Sequence, residues 1–185
     1  MGNHNVMPDV QAVREHLYSK DLPIRERAAE VLGRTKSIEA VLALLAALKS
    51  QNRYVATRAA WGLSLISAEV VLPYLAQALD TPQEAVVELV AWALGRMGRA
   101  ARQVLVVALE HRCPFVRRAA GAGLWQHAVR GYKSKKVEQL LSGMLQGDRG
   151  HVALTLRHMR EQRLAPKGTP SSAIFFDRMG GKFIR

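Results

Sequence analysis

One nine-residue phrase recurs four times along this chain: Ile24-Arg-Glu-Arg-Ala-Ala-Glu-Val-Leu32, Val55-Ala-Thr-Arg-Ala-Ala-Trp-Gly-Leu63, Val86-Val-Glu-Leu-Val-Ala-Trp-Ala-Leu94 and Val116-Arg-Arg-Ala-Ala-Gly-Ala-Gly-Leu124. Successive phrases start 31, 31 and 30 residues apart. Such a period belongs to stacked helical repeats, each too small to bury its apolar face alone, rather than to a closed globule. Each phrase also begins seven residues after a leucine that ends an apolar run, as Leu17 precedes Ile24 and Leu145 precedes Val152.

On a helix advancing about 100° per residue, phrase positions one, five, eight and nine share a side. In the first repeat these are Ile24, Ala28, Val31 and Leu32, and in the second Val55, Ala59, Gly62 and Leu63. Their small side chains predict a first helix that packs closely on its neighbours. Larger residues at i, i+3, i+4, i+7 spacing predict a second, amphipathic helix in each repeat: Val41, Leu44, Leu45 and Leu48; Leu72, Leu75 and Leu79; Leu105, Val106 and Leu109; Val137, Leu140, Leu141, Met144 and Leu145. Turn chemistry places the breaks, with Ser37 as a helix cap and Pro82 and Pro114 at first-turn positions. Pro73 is expected near the first turn of its helix. Gly33 and Gly95 hold the same place in their repeats and read as C-terminal caps.

The ends read as partial repeats, since a terminal unit of a solenoid lacks a neighbour. Residues 8–19, with Val10, Val13 and Leu17, predict an N-terminal capping helix, and residues 150–163, with Val152, Leu156 and Met159, a C-terminal one. The solenoid is thus expected over residues 1–163. A basic connection, Gly131-Tyr-Lys-Ser-Lys-Lys136, reads as a longer loop. Residues 164–185 lose the periodicity yet carry three of the four phenylalanines, Phe175, Phe176 and Phe183, with Ile174, Met179 and Ile184 beside them. An apolar, aromatic tail of this kind reads either as an extended docking peptide or as a cover for the last helix.

The pattern of an aliphatic residue, often Arg, two variable residues, Ala-Ala, then a small residue and Leu, followed by Ala-Val-x-x-Leu-x-x-x-Leu, resembles the short bacterial-type HEAT repeat of the phycobilisome-lyase class. The resemblance covers residues 9–163. It implies an all-α fold, a right-handed α-solenoid of about four to five HEAT-like helical hairpins with a non-helical C-terminal tail. Repeats of this class occur in bilin lyases, helical-repeat DNA glycosylases, deoxyhypusine hydroxylases and many adaptors, so the fold does not select the activity.

The residues narrow that choice. No His-Glu dipeptide and no His-Glu-x-x-His occurs among the six histidines, which removes the iron motifs of the hydroxylases and a zinc-protease site. A lone cysteine, Cys113, forms no internal disulfide, reads as a small buried or semi-buried residue at a helix start, and fits a reducing, cytoplasmic compartment. No catalytic set, metal site or cofactor is expected. No apolar run approaches the roughly 20 residues that span a bilayer.

Charge and aromatics point to partners instead. Residues 1–111 hold 12 Lys/Arg against 11 Asp/Glu, whereas residues 112–185 hold 15 against 4. Lys133, Lys135, Lys136, Arg149, Arg157, Arg160 and Arg163 are the candidate anion-binding residues. Trp61 and Trp92 share phrase position seven one repeat apart, on the side away from the expected core, and read either as an aromatic ledge or as packing residues. The reading is a non-catalytic adaptor that binds a larger protein assembly through its basic half, its phenylalanine-bearing tail and the two tryptophans. The alternative is a nucleic-acid-binding HEAT protein, glycosylase-like or RNA-binding, using the basic groove.

Overall fold

The computed structural model describes residues 9–129, together with Lys135 and Gln139. The expected C-terminal capping helix and the tail lie outside the described residues. Those described form eight α-helices: α1 (Val10–His16), α2 (Leu22–Arg34), α3 (Ile38–Leu48), α4 (Arg53–Leu63), α5 (Ala68–Ala78), α6 (Glu84–Arg96), α7 (Arg102–Ala108) and α8 (Pro114–Val129), with a short 3-10 helix, Gly98–Ala101, ahead of α7.

The phrase helices α2, α4, α6 and α8 stack on one another, while α1, α3, α5 and α7 form a second row that touches mainly the first. The helices of the first row approach closely because small residues face each other. A Cβ added to Gly33 would stand 2.6 Å from the Gly62 carbonyl oxygen, and one on Gly95 would stand 2.6 Å from that of Gly123. We call the closely packed phrase helices the inner row, and α1, α3, α5 and α7 the outer row. Between the rows runs a ladder of fully buried leucines, among them Leu17, Leu32, Leu44, Leu63, Leu75, Leu94, Leu105 and Leu124. Each removes enough apolar surface from water to contribute about 2 kcal/mol.

Local chemistry accounts for the helix starts. The Asp9 carboxylate accepts from the Gln11 amide at 3.0 Å, the Ser37 hydroxyl from Ala40 at 3.2 Å and the Asn52 carbonyl from Tyr54 at 3.0 Å, satisfying amides that have no partner within the helix. Pro114 opens α8 where no amide hydrogen is needed.

Several expectations change. Gly33 and Gly95 lie within α2 and α6 with ordinary negative φ, so they are close-packing glycines rather than caps. The residue that does adopt the left-handed conformation after α6 is Gly98, at φ 70°. Pro82 stands just before the N-cap Gln83, not in the first turn of α6. Pro73 is the sixth residue of α5, where its missing amide leaves one helical bond unmade while its ring points to solvent. Cys113 is exposed.

The buried face is also wider than the four-position stripe. In α4 and α6 positions one, two, five, six, eight and nine are all buried, because these helices have neighbours on two sides as well as the outer row. In α2, Ile24 is exposed and Val31 half-buried, while Arg25, Ala28, Ala29, Leu32 and Gly33 are buried. Among the described residues no inner helix precedes α2, and Ile24 on that flank is exposed.

Candidate docking surface on the inner row

On the helical wheel, phrase positions seven and eleven point away from the outer row and make up the inner face. Position seven holds Glu30, Trp61, Trp92 and Ala122, and position eleven holds Arg34, Leu65, Arg96 and Gln126. The face is therefore charged over the first repeat and mainly aromatic and apolar over the second and third. Trp61 and Trp92 are half-buried and pack against the core, each keeping part of its indole accessible.

Arg96 lies one turn beyond Trp92 on the same helix, and its guanidinium carbon sits 4.9 Å from the centre of that ring. A cation over an indole face is attracted by the negative potential of the ring. The Arg96 Nε also donates to the Ser64 hydroxyl at 3.3 Å, and that hydroxyl donates to the Trp61 carbonyl at 2.7 Å. A chain of contacts thus ties the two tryptophan positions across the α4–α6 joint. This joint carries Ser64 and Ala93 where the other two carry glycine pairs.

Charges flank the aromatic centre. Glu30 pairs with Arg34 at 2.7 Å within α2, and Glu26 pairs with Arg58 at 2.7 Å between α2 and α4. At the other end the Arg118 guanidinium stacks 4.5 Å from the Phe115 ring. An aromatic centre with Arg at its margin and paired charges beyond it has the composition of an interface whose binding energy is concentrated in a few residues.

The loops hold a second cluster. His111 Nδ1 accepts from the Cys113 amide at 3.1 Å, so its proton is placed on Nε2, which donates to the Asp80 carboxylate at 2.8 Å. Asp80 and His111 are 31 residues apart and occupy matching loops of adjacent repeats. The bond clamps one loop to the next. Among the described residues no group of three or more His, Cys, Asp or Glu is arranged to hold a metal ion, and no helix is long and apolar enough to cross a membrane.

Of the residues singled out from the sequence, the structure places Trp61 and Trp92 on adjacent inner helices. Lys135, read as part of a loop, has helical backbone and an exposed side chain. Lys133, Lys136, Arg149, Arg157, Arg160, Arg163, Ile174, Phe175, Phe176, Met179 and Phe183 lie outside the described residues. Sequence reasoning missed Ser64 and Arg96. Two signals mark them: position ten changes from Gly in the first and third repeats to Ser in the second, and Arg follows Trp by four residues in the third.

Residues 10–95 match the family model described as HEAT repeats. No curated protein matches the sequence. Among solved structures, the complex of CpcE and CpcF of phycocyanin lyase from Nostoc sp. PCC7120 is similar at 23% identity, over 85% of this chain and 66% of that one, with a TM-score of 0.46. An engineered protein is similar at 18% identity over 82% of this chain and 77% of its own, with a TM-score of 0.42. A designed armadillo repeat protein in complex with the peptide (KR)4 is similar at 14% identity over 82% and 80% of the two chains, with a TM-score of 0.41. The recurring phrase and the two packed helix rows agree with that match: residues 10–95 are similar to HEAT repeats, and the described residues form an α-solenoid.

Proposed function

We propose that this protein is a non-catalytic, cytoplasmic adaptor that binds a larger protein assembly, with the inner-face ledge around Trp61 and Trp92 as one docking surface and the basic C-terminal half with its phenylalanine-bearing tail as another. HEAT and armadillo-like repeats typically serve as protein-interaction scaffolds. The observation that carries the reading is the joined set of Trp61, Ser64, Trp92 and Arg96 at the centre of the inner face. Half-buried indoles held in place from behind lose little side-chain entropy on binding, which is what an anchor for a partner requires.

The test is affinity purification from the native lysate with four baits: the intact chain, Trp92→Ala, Arg96→Glu, and the chain lacking residues 166–185, each with and without nuclease. The expected outcome is a discrete set of proteins that resists nuclease and is lost with the tail, the ledge variants or both. Loss of an anchor at an interface centre should weaken binding at least about tenfold. Recovery that disappears with nuclease and ignores all three variants would instead assign the function to the basic half and a nucleic acid.

A further inference from the structure

We propose that the open N-terminal flank of α2 is a second docking site, a slot for an amphipathic α-helix of a partner protein that brings a carboxylate to Arg27. The slot is distinct from the tryptophan ledge.

Helices α4 and α8 each meet the inner helix before them through phrase position eight, and position one is buried in every described inner helix after the first. At position one, Val55, Val86 and Val116 are 1%, 5% and 3% exposed, whereas Ile24 is 41% exposed. At position eight, Gly62 and Gly123 meet the carbonyls of Ala29 and Ala91 in the preceding helix, whereas Val31 in α2 is half-buried with no inner helix before it among the described residues. Ile24, Ala28 and Val31 with Val13 of α1 line a groove of about 290 Å³, with His16 and Arg27 at its edge. Its lining is mainly apolar, as the joints between the inner helices are.

Charge identifies the occupant further. At the next joint Arg58, at position four of α4, reaches back to Glu26, at position three of α2. Arg27 is the position-four residue of α2. It is exposed and makes no ion pair among the described residues. A helix seated as α2 seats on α4 would therefore place its own third position beside Arg27, and a carboxylate there repeats the Glu26–Arg58 pair. The apolar floor rejects a phosphate backbone, and the cationic edge disfavours a basic helix. Val31 in place of glycine holds the incoming backbone off, so the occupant sits no closer than α6 sits on α4, where position eight is Ala93.

The probe is a fluorescein-labelled, helix-stapled peptide of residues 20–35 of this chain, which carries the small apolar face and Glu26 in the required register. Its binding to the full-length protein is read by fluorescence anisotropy. Saturable binding is expected, weakened at least about tenfold by Ile24→Asp, which puts a charge on the apolar floor. Arg27→Glu should weaken it several-fold, a peptide with Glu26→Arg should restore it, and Trp92→Ala should leave it unchanged. Absence of saturable binding at millimolar peptide, equal binding by Ile24→Asp, or failure of the charge swap to restore affinity each overturns the proposal. Should Ile24→Asp lose its helical circular dichroism, the charge swap alone decides. Sedimentation of the full chain covers the remaining case: a dimer dissolved by Arg27→Glu would make the slot an interface between copies and overturn a foreign helix.

Discussion

Arg25 and Arg117 occupy position two of the first and fourth phrases and make the same pair of bonds. Arg25 Nη1 donates to the carbonyls of Ser19 at 2.6 Å and Lys20 at 2.9 Å, and Arg117 Nη1 to those of His111 at 2.9 Å and Arg112 at 3.1 Å. Each guanidinium satisfies carbonyls of the turn entering its repeat, and Arg25 is buried under the Tyr54 ring, 5.9 Å away. Bonds from a buried, charged donor to backbone carbonyls are expensive to lose, because the charge is left without partners. Arg25→Ala is expected to lower the unfolding free energy by about 2 kcal/mol, measured by urea denaturation. By contrast Glu26→Gln, which removes an ion pair whose partners are 42% and 35% exposed, should change it by less than about 0.5 kcal/mol. Both roles were hidden in the sequence, where Arg25 and Arg58 are equally plausible surface residues. Only the turn geometry of the first repeat separates the buried Arg25 from the half-buried Arg58. Cys113 shows the opposite failure: its type favours burial, but its place in a turn before α8 exposes it.

At the scale of the helix the repeat phrase was highly legible, and what it concealed was the neighbour on each side. Period and spacing located both helices of every described repeat, because a leucine ladder between two rows leaves its mark at i, i+3, i+4, i+7. The facing of the inner helices was narrower in the sequence than in the structure, since positions two and six, Val87 and Ala91 in α6, are buried by contacts that no single helical wheel contains. The glycines misled for a related reason. Gly95 near a helix end looks like a cap, yet its lack of a Cβ serves the approach to the Gly123 carbonyl. Gly95→Ala gains about 1 kcal/mol of helix propensity and places a Cβ 2.6 Å from that rigid backbone oxygen, so α6 and α8 must part. The net outcome expected is destabilisation by about 1–3 kcal/mol, visible as a lower Tm in calorimetry. Gly98→Ala should also destabilise, through its positive φ rather than through crowding.

Across the whole molecule the joints are unequal. Glycine pairs bind α2 to α4 and α6 to α8, but the α4–α6 joint has Ser64 and Ala93 and fewer close approaches. In a stack whose stability is a sum of repeat and neighbour terms, the weakest neighbour term decides where the stack parts first. Native-state hydrogen exchange should therefore show the amides of α4 and α6 that face this joint opening at lower free energy than the buried amides of α8. Uniform protection across all three joints would contradict it. The candidate surface was only partly legible, because Trp61 and Trp92 stand out as residue types whereas the serine that links them matters only once two helices are side by side.

The unequal joints have a mechanical consequence. Two stiff plates, each of two repeats, meet at one compliant seam, and the Trp61–Ser64–Arg96–Trp92 chain crosses it like a stitch. Bending of the solenoid is expected to concentrate there instead of spreading along its length. Rotation about that single line would change the angle between the two plates, and a cargo gripping both tryptophans would set that angle and hold it.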